Sequence, residues 1–334
     1  WQDREVTKGS GWKPFKRWEY MMSSRINPDG SRPAPDREMI AYQVLVEKHP
    51  GQKTMYGDWE CLGPYNVPAN KGYKGLGRLN AIAFHPTDGQ TIYVGAPAGG
   101  FWVTHDQGVT WNTTTDNLPT LGVSSIAVDY SNPDVIYIGT GDRDASDAPG
   151  LGIFKSYNGG DTWDQYNYGM GNATVGRLLM HPDDSETIYA ATSSGIFKTN
   201  DGGENWNNLK SGDFKDIVFK VDDPTTLFAT AGGSFYRSVD EGENWTKIEN
   251  GIPTGSRGVI GVSDDNPDVV YFLQAQGSVY GGTYRSTDAG LSFTEMSTTP
   301  NIMSWGCEGG SGGQAWYDLD MTVDPTNADI IYAG

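Results

Sequence analysis

The chain has 334 residues and a net charge of −18, from 24 basic and 42 acidic side chains. This excess of negative charge disfavours nucleic acids and anionic membrane surfaces as partners. The 45 glycines, 11 tryptophans and 18 tyrosines are typical of many short strands joined by tight turns. The sequence contains no apolar run of about 18 residues, so we predict no membrane-spanning helix.

Residues 1–57 differ in pattern from the rest and predict a short helical and linker segment. Phe15 and Trp18 lie at helical spacing in a first predicted helix. A second helix is expected between Asp36, its predicted N-cap, and about Lys48. The first 25 residues carry six basic and three acidic side chains. These helices are therefore expected either to pack on an acidic domain or to dock a partner.

One octapeptide occurs five times, with Ser or Thr first, Asp or Asn third, Gly fifth and an aromatic residue eighth. The copies begin at Thr104, Ser156, Thr199, Ser238 and Ser286 and end at Trp111, Trp163, Trp206, Trp245 and Phe293. Runs of aromatic and β-branched residues flank each copy, which predicts a hairpin turn. The third residue can accept backbone N–H groups in such a turn, and the fifth can adopt positive φ. The predicted structural residues at the third position are Asp106, Asn158, Asp201, Asp240 and Asp288.

The octapeptides belong to a longer repeat of about 40 to 50 residues, which is the size of one propeller blade. Each repeat reads as a strand, an acidic turn, two more strands joined around the octapeptide, and a fourth strand. We therefore predict an all-β domain over residues 58–334, with five complete blades and the first half of a sixth. The blades are expected to start near residues 78, 123, 175, 214, 257 and 315.

Two further expectations concern the ends of this domain. The sequence stops within the sixth repeat, so we expect the protein to continue beyond it. An isolated strand signal at Trp59 to Gly63 is expected to help close the ring by pairing with the last blade.

The octapeptide is identified as an Asp-box, or BNR repeat. On these motifs, residues 78–334 resemble the Asp-box β-propellers, which include sialidases, xyloglucanases and sortilin-type receptors. The resemblance implies a propeller fold and leaves the function open, because that fold is shared by hydrolases, receptors and adhesins. Residues 11–19 also resemble the leader of large secreted proteins exported by the type IX route. That resemblance implies an extracellular or cell-surface location and contact with secretion machinery.

The connections that vary in length all follow the second or fourth strand of a blade. The long ones are Gly141 to Gly150, Gln274 to Gly282 and Ser297 to Ala315. In an antiparallel blade these connections share one end, and the octapeptides lie at the other. Long loops on a rigid scaffold commonly carry binding residues, so the end with the long loops is the predicted recognition face.

An acidic group on this face contains Asp142, Asp144 and Asp147. Three carboxylates within six residues are compatible with Ca²⁺, the one cofactor that the sequence suggests, or with the acid and base of a hydrolase. The other interpretation is a solvated acidic loop tied by Arg143.

A second group surrounds the glycine-rich stretch 309–313. Its predicted ligand-binding residues are Trp305, Glu308, Gln314, Trp316, Tyr317 and Asp318. Aromatic rings beside a flexible loop can stack on sugars or hold a peptide. Alternatively, Trp316 and Tyr317 begin an inner strand that runs to Thr322 and fill the core.

These observations favour a secreted or surface-displayed binding module, such as an adhesin, that recognises a protein or a glycan. A glycoside hydrolase and a structural spacer are the alternatives. No catalytic residue is assigned, and we expect no glycosidase activity, because the inner strands show neither a paired-carboxylate motif nor a sialidase-like arginine triad. The inner-strand arginines are few, namely Arg78, Arg177 and Arg257. Whether Cys61 and Cys307 are bonded stays open.

Overall fold

The computed structural model describes residues 11–23, 25–27, 29–31, 33–34, 36–48, 77–305 and 309–334. These residues fall into two units, one before and one after the gap at 49–76. The predicted strand at Trp59 to Gly63 lies outside the described residues, as do Cys61, Cys307 and Glu308.

The first unit contains two helices, α1 (Trp12–Met22) and α2 (Arg37–Lys48). Gly11 precedes α1 with a φ of 82°, a left-handed conformation that glycine adopts at little cost. The rings of Trp12 and Phe15 lie 6.0 Å apart, and those of Phe15 and Trp18 lie 6.1 Å apart. Neither of these helices, nor any other part of the described chain, offers a helix long and apolar enough to cross a membrane.

The second unit consists of antiparallel sheets in which sequential strands are neighbours. The strands of blades one and two are β1 (Ala81–Phe84), β2 (Ile92–Ala96), β3 (Gly100–Thr104), β4 (Asn112–Thr113), β5 (Val123–Val128), β6 (Ile136–Thr140), β7 (Ile153–Ser156) and β8 (Asp164–Gln165). Those of blades three and four are β9 (Val175–His181), β10 (Asp184–Thr192), β11 (Gly195–Thr199), β12 (Asn207–Ser211), β13 (Asp216–Lys220), β14 (Asp223–Ala231), β15 (Ser234–Ser238) and β16 (Thr246–Ile248). Blade five contains β17 (Arg257–Val262), β18 (Val270–Gln276), β19 (Val279–Ser286) and β20 (Thr294–Ser297), and two strands of a sixth follow, β21 (Met321–Asp324) and β22 (Asn327–Ala333).

The first strands of the six sheets surround one central channel. Each of these inner strands contacts the inner strand of the next sheet, in the order β1, β5, β9, β13, β17 and β21. This arrangement is a β-propeller and confirms the predicted fold class. The sixth inner strand begins at Met321, so the prediction of a strand from Tyr317 was wrong; residues 316–318 form a turn instead.

The core lies between the blades, in five apolar clusters that each join two consecutive sheets. In blades two to five, the eighth residue of the octapeptide contributes to the cluster shared with the preceding blade. The ring centre of Trp163 lies 5.0 Å from that of Phe101, and that of Phe293 lies 4.9 Å from that of Phe235. Burial of such rings removes about 200 Å² each from water, so these contacts are a major source of cohesion between blades.

The octapeptide turns share one hydrogen-bond network. In the third blade, the Thr199 hydroxyl accepts the N–H of Gly203 at 3.0 Å and donates to Asp201 at 2.7 Å. Asp201 also accepts the N–H and the side-chain amide of Asn205, at 2.9 and 2.8 Å. The same bonds recur around Asp106, Asn158, Asp240 and Asp288. The predicted turn role of the third residue therefore matches the observed geometry.

Two successive residues of each turn adopt left-handed backbone conformations. The fifth-position glycines, Gly108, Gly160, Gly203, Gly242 and Gly290, have φ between 80° and 95°. The fourth position has φ between 54° and 68° and is occupied by Gln107, Gly159, Gly202, Glu241 and Ala289. The sequence predicted the fifth position and not the fourth, because the fourth is not consistently glycine.

We predict that Asp288→Ala lowers the free energy of unfolding by about 1–2 kcal/mol, because two backbone N–H groups and two serine hydroxyls of the turn lose their acceptor. Asp288→Asn should cost much less, since Asn158 already accepts the equivalent N–H and donates its amide to Thr162 at 2.9 Å. Chemical denaturation of the two variants at neutral pH measures the difference. Equal losses for Ala and Asn would contradict this account of the turn.

The same pair of variants separates a pH effect. Burial alone would raise the pKa of Asp288, but the Ser292 and Ser286 hydroxyls hold this pKa below its ordinary value of 3.8. The carboxylate therefore stabilises the fold above the unfolded pKa, and this contribution disappears as pH falls through the folded pKa. As pH falls from 5 through the folded pKa of Asp288, the free energy of unfolding should decrease more for the wild type than for Asp288→Asn.

Candidate functional site

The candidate site is the mouth of the central channel, at the end where the inner strands begin. The channel encloses about 490 Å³ and is lined by residues of all six inner strands or the segments before them. In each blade, the fourth residue of the octapeptide turn bonds to the first hairpin of the blade; the Glu241 N–H, for example, donates to the Thr225 carbonyl at 2.9 Å. The octapeptides therefore share the end with those hairpins, away from the mouth.

The long connections meet at the mouth. The Ala315 N–H donates to the Ser278 carbonyl at 3.2 Å, and the Tyr280 N–H donates to the Asn301 side chain at 2.9 Å. These bonds attach the connection after blade five to the tip of the β18–β19 hairpin. The prediction of a loop from Gln274 to Gly282 was wrong, because strands continue to a two-residue turn in which Gly277 has a φ of 63°.

Arg78 organises the acidic group predicted from the sequence. Its guanidinium lies 2.7 Å from Asp142, 3.8 Å from Asp144 and 3.7 Å from Asp147. Asp142 is buried, and it also accepts the backbone N–H groups of Asp144, Ala145 and Asp147 at 3.0–3.1 Å. Burial alone would raise the pKa of Asp142, but the loop N–H groups and Arg78 hold this pKa below its ordinary value.

The three carboxylates considered as calcium ligands, Asp142, Asp144 and Asp147, already share a cation of the protein. The Arg78 guanidinium already supplies the positive charge that the three carboxylates share. Within the part of the chain that the structure describes, no group of three or more His, Cys, Asp or Glu residues has a metal-binding arrangement. Arg143 does not tie this loop either, because its side chain pairs with Asp213 and donates to the Phe214 carbonyl at 3.2 Å.

Arg257 joins the two groups of residues that the sequence suggested separately. It pairs with Asp144 at 2.8 Å and donates to the Trp316 carbonyl at 3.1 Å. Arg78 makes a second link, because its guanidinium lies 5.4 Å from the centre of the Tyr317 ring. The acidic loop and the aromatic turn therefore form one continuous rim.

The aromatic part of the rim is accessible to solvent. Trp305 is 74% exposed and Trp316 is 48% exposed. The rings of Trp316 and Tyr317 lie 4.4 Å apart, and the Gln314 side-chain amide donates to the Tyr317 hydroxyl. Asp318 lines the channel beside them. Trp316 and Tyr317 thus form an exposed turn and do not fill the core, contrary to the alternative interpretation.

The sequence reasoning missed the cationic residues of the mouth as a group. Arg78, Arg143, Arg177, Lys215 and Arg257 all line the channel. Burial, followed by the neighbouring charges of Arg257 and Arg143, lowers the pKa of Lys215 to about 8. Four of these residues stand just before, at or near the start of an inner strand. This shared position in the repeat could have indicated the cationic group from the sequence, but it is visible only after the blades are aligned.

Three carboxylates of the mouth are held by cations. Asp142 has Arg78, Asp144 has Arg257, and Asp216 has Arg177 at 2.8 Å. Asp216 also accepts the Ile260 N–H at 3.0 Å. Ion pairing favours the charged form of a carboxyl group, so this arrangement suits the binding of polar groups better than proton donation.

Proteins of known structure share this fold. An ancestral GH74 enzyme is similar with a TM-score of 0.58 and 19% identity, over 75% of this chain and 34% of its own. The GH74 xyloglucanase of Xanthomonas campestris gives 0.56 and 18%, over 77% and 42%, and the GH74 enzyme of Niastella koreensis gives 0.56 and 21%, over 76% and 43%. No protein-family model matches the sequence, and no curated protein is significantly similar to it. The chain spans less than half the length of these enzymes, and what it shares with them is the β-propeller fold.

We predict that Arg78→Met destabilises the protein by about 2 kcal/mol or more, because the buried Asp142 carboxylate loses its cation. The double variant Arg78→Met with Asp142→Asn should recover part of that loss, since the uncompensated charge is gone. Denaturation of both variants gives the two values. A double variant that is less stable than Arg78→Met alone would contradict the role of this pair.

Proposed function

We propose that this propeller is a binding module of a secreted or cell-surface protein, and that the rim around its channel mouth holds the ligand. The observation that carries the proposal is the joining of two long connections by Arg257 and Arg78. Their contacts present the Trp316 and Tyr317 rings directly beside a charged channel. An aromatic surface next to fixed polar groups is the usual composition of a ligand site.

The exposed rings favour recognition of a sugar or a peptide. Trp316 leaves about half of its surface in water although its turn is held at Arg257 and Tyr317. A large ring on an ordered support loses little conformational entropy when a ligand covers it, so it can contribute strongly to affinity. The location outside the cell rests on the resemblance of residues 11–19 to a secretion leader. The shared turn network supports the assignment of the five octapeptides as Asp-boxes.

A glycoside hydrolase is the second candidate, because the GH74 enzymes have the same fold. Glycoside hydrolysis requires one carboxylic acid that is protonated near neutral pH. In the mouth, Asp142 has a lowered pKa, and Asp144 and Asp216 each lie within 2.8 Å of an arginine. For these three carboxylates, the contacts favour binding over hydrolysis. A structural spacer is the third candidate, and the exposed rim argues against it.

We predict that Trp316→Ala weakens ligand binding by 2 kcal/mol or more, roughly 30-fold, as interface tryptophans often do. Binding is measured on an array of glycans and surface peptides, with the protein at several concentrations. Trp111→Ala is the matched control, because Trp111 is also a partly exposed tryptophan and belongs to an octapeptide turn at the opposite end. Binding that survives Trp316→Ala and fails in Trp111→Ala would place the recognition surface at the end with the octapeptide turns and contradict the proposal.

The hydrolase candidate has its own test. We expect no turnover of xyloglucan or of a sialoside, measured by release of reducing sugar or sialic acid. Turnover that Asp142→Ala or Asp144→Ala abolishes, in a protein with unchanged folding, would replace the binding proposal with a hydrolytic one.

A further inference from the structure

We propose that Lys215, Arg143 and Arg257 form an anion subsite at the channel mouth, and that it receives a carboxylate of an acidic oligosaccharide. The inference rests on the proposed function and specifies its ligand class. All three residues line the channel, and they come from different segments. Arg143 lies in the loop after β6, Lys215 directly precedes β13, and Arg257 is the first residue of β17.

The three cations are incompletely neutralised. Asp144 pairs with Arg257 at 2.8 Å and is also 3.8 Å from Arg78, while Asp213 pairs with Arg143. The described residues offer the Lys215 ammonium neither a hydrogen bond nor an ion pair. Asp213 and Asp144 therefore pair with the two arginines, and the ammonium of Lys215 is the member of this trio that has no carboxylate bound to it among the described residues. The lowered pKa of Lys215 has the same origin, because burial and then Arg257 and Arg143 disfavour its charge more than Asp144 and Asp213 favour it.

The donors that remain unused lie in the same place. The side chains of Arg143 and Arg257 are each only 10% exposed. Both have a buried Nε atom that finds no hydrogen-bond partner among the described residues. A buried donor without an acceptor costs free energy, and the cost is larger for a charged group. An incoming anion would supply an acceptor and a counter-charge for the Lys215 ammonium, in a channel that Arg143 and Arg257 also line.

A sugar acid fits this mouth better than an isolated anion. Arg257 donates to the Trp316 carbonyl, so the cationic group and the aromatic turn are parts of one rim. A pyranose ring can lie on an aromatic face while its carboxylate reaches a nearby cation. The chain as a whole carries a charge of −18, so it has no general attraction for polyanions. Retention of an acidic sugar would therefore report a local site.

The test is calorimetric titration with galacturonate oligomers and with the same oligomers as methyl esters, which lack the charge. The proteins are the wild type, Lys215→Met and Lys247→Met. The last is a matched control, because it changes the net charge equally at an exposed lysine of β16 that pairs with Glu249. We expect Lys215→Met and esterification each to weaken binding by about tenfold or more, as loss of a charge-assisted bond does. Lys247→Met should bind like the wild type.

A pH series adds a readout that a purely structural role would not change. The charged groups around Lys215 are Arg143, Arg257, Asp144 and Asp213, none of which is of a type that ordinarily titrates between pH 7 and 9. Lys215 is charged below its pKa of about 8 and neutral above it. Affinity of the wild type for the acid should therefore fall as pH rises from 7 to 9. Lys215→Arg should show no such fall, because arginine keeps its charge.

Three outcomes would overturn the subsite. They are equal binding of the acid and the ester, acid binding that Lys215→Met leaves unchanged, and preference for a peptide with a free carboxyl terminus over the acidic sugar. If Trp316→Ala still removes binding in those cases, the proposed function stands and only the subsite fails. Lys215→Met removes a charge that burial disfavours, so its thermal stability should equal or exceed that of the wild type and confirm folding.

Discussion

In blades three, four and five, the fourth residue of the octapeptide turn makes the contact that joins its sheet to the preceding one. In the third blade, the Gly202 N–H donates to Glu186 of its own first hairpin at 2.9 Å, while its carbonyl accepts the Tyr137 hydroxyl of the preceding blade at 3.1 Å. Glu241 makes the same two kinds of bond, with Thr225 and Tyr189. In both turns this residue adopts a left-handed backbone conformation, with φ of 62° at Gly202 and 56° at Glu241. This residue therefore holds one sheet together and fixes its angle to the previous one.

From that contact the channel mouth follows. Fixed angles between the sheets bring all the inner strands around one axis, and their first residues then converge at one end. Arg78, Arg177 and Arg257 are far apart in sequence and line the same channel for this reason. The ring thus positions the residues of the site. Loss of an octapeptide turn would change the angle between two blades and so displace those residues.

The repeated four-stranded sheet and the turn role of the third residue could be predicted because each rests on local patterns of strand and glycine. The site could be predicted only in part. The long connections pointed to the end that carries the channel mouth, and Asp142 and Trp316 were both singled out there. Their joining depends on Arg257, which meets Asp144 across more than a hundred residues, and a contact of that separation leaves no local pattern. Lys215 was missed because a single lysine between two strands belongs to no motif. Only the fold shows that Lys215 lines the channel together with Arg143 and Arg257.

The fourth turn position also makes the blades unequal. Blades two and three have glycine at this position, Gly159 and Gly202. Blades one, four and five have Gln107, Glu241 and Ala289 there, in the same left-handed conformation. A side chain in that conformation costs roughly 1 kcal/mol. Local unfolding should therefore begin in blades one, four and five and occur last in blades two and three. Amide hydrogen exchange should then be slowest in blades two and three. The most persistent part of the ring would then be the part that holds Arg143 and Arg177, and a partly opened propeller would still keep two of the six inner strands of its channel wall in place.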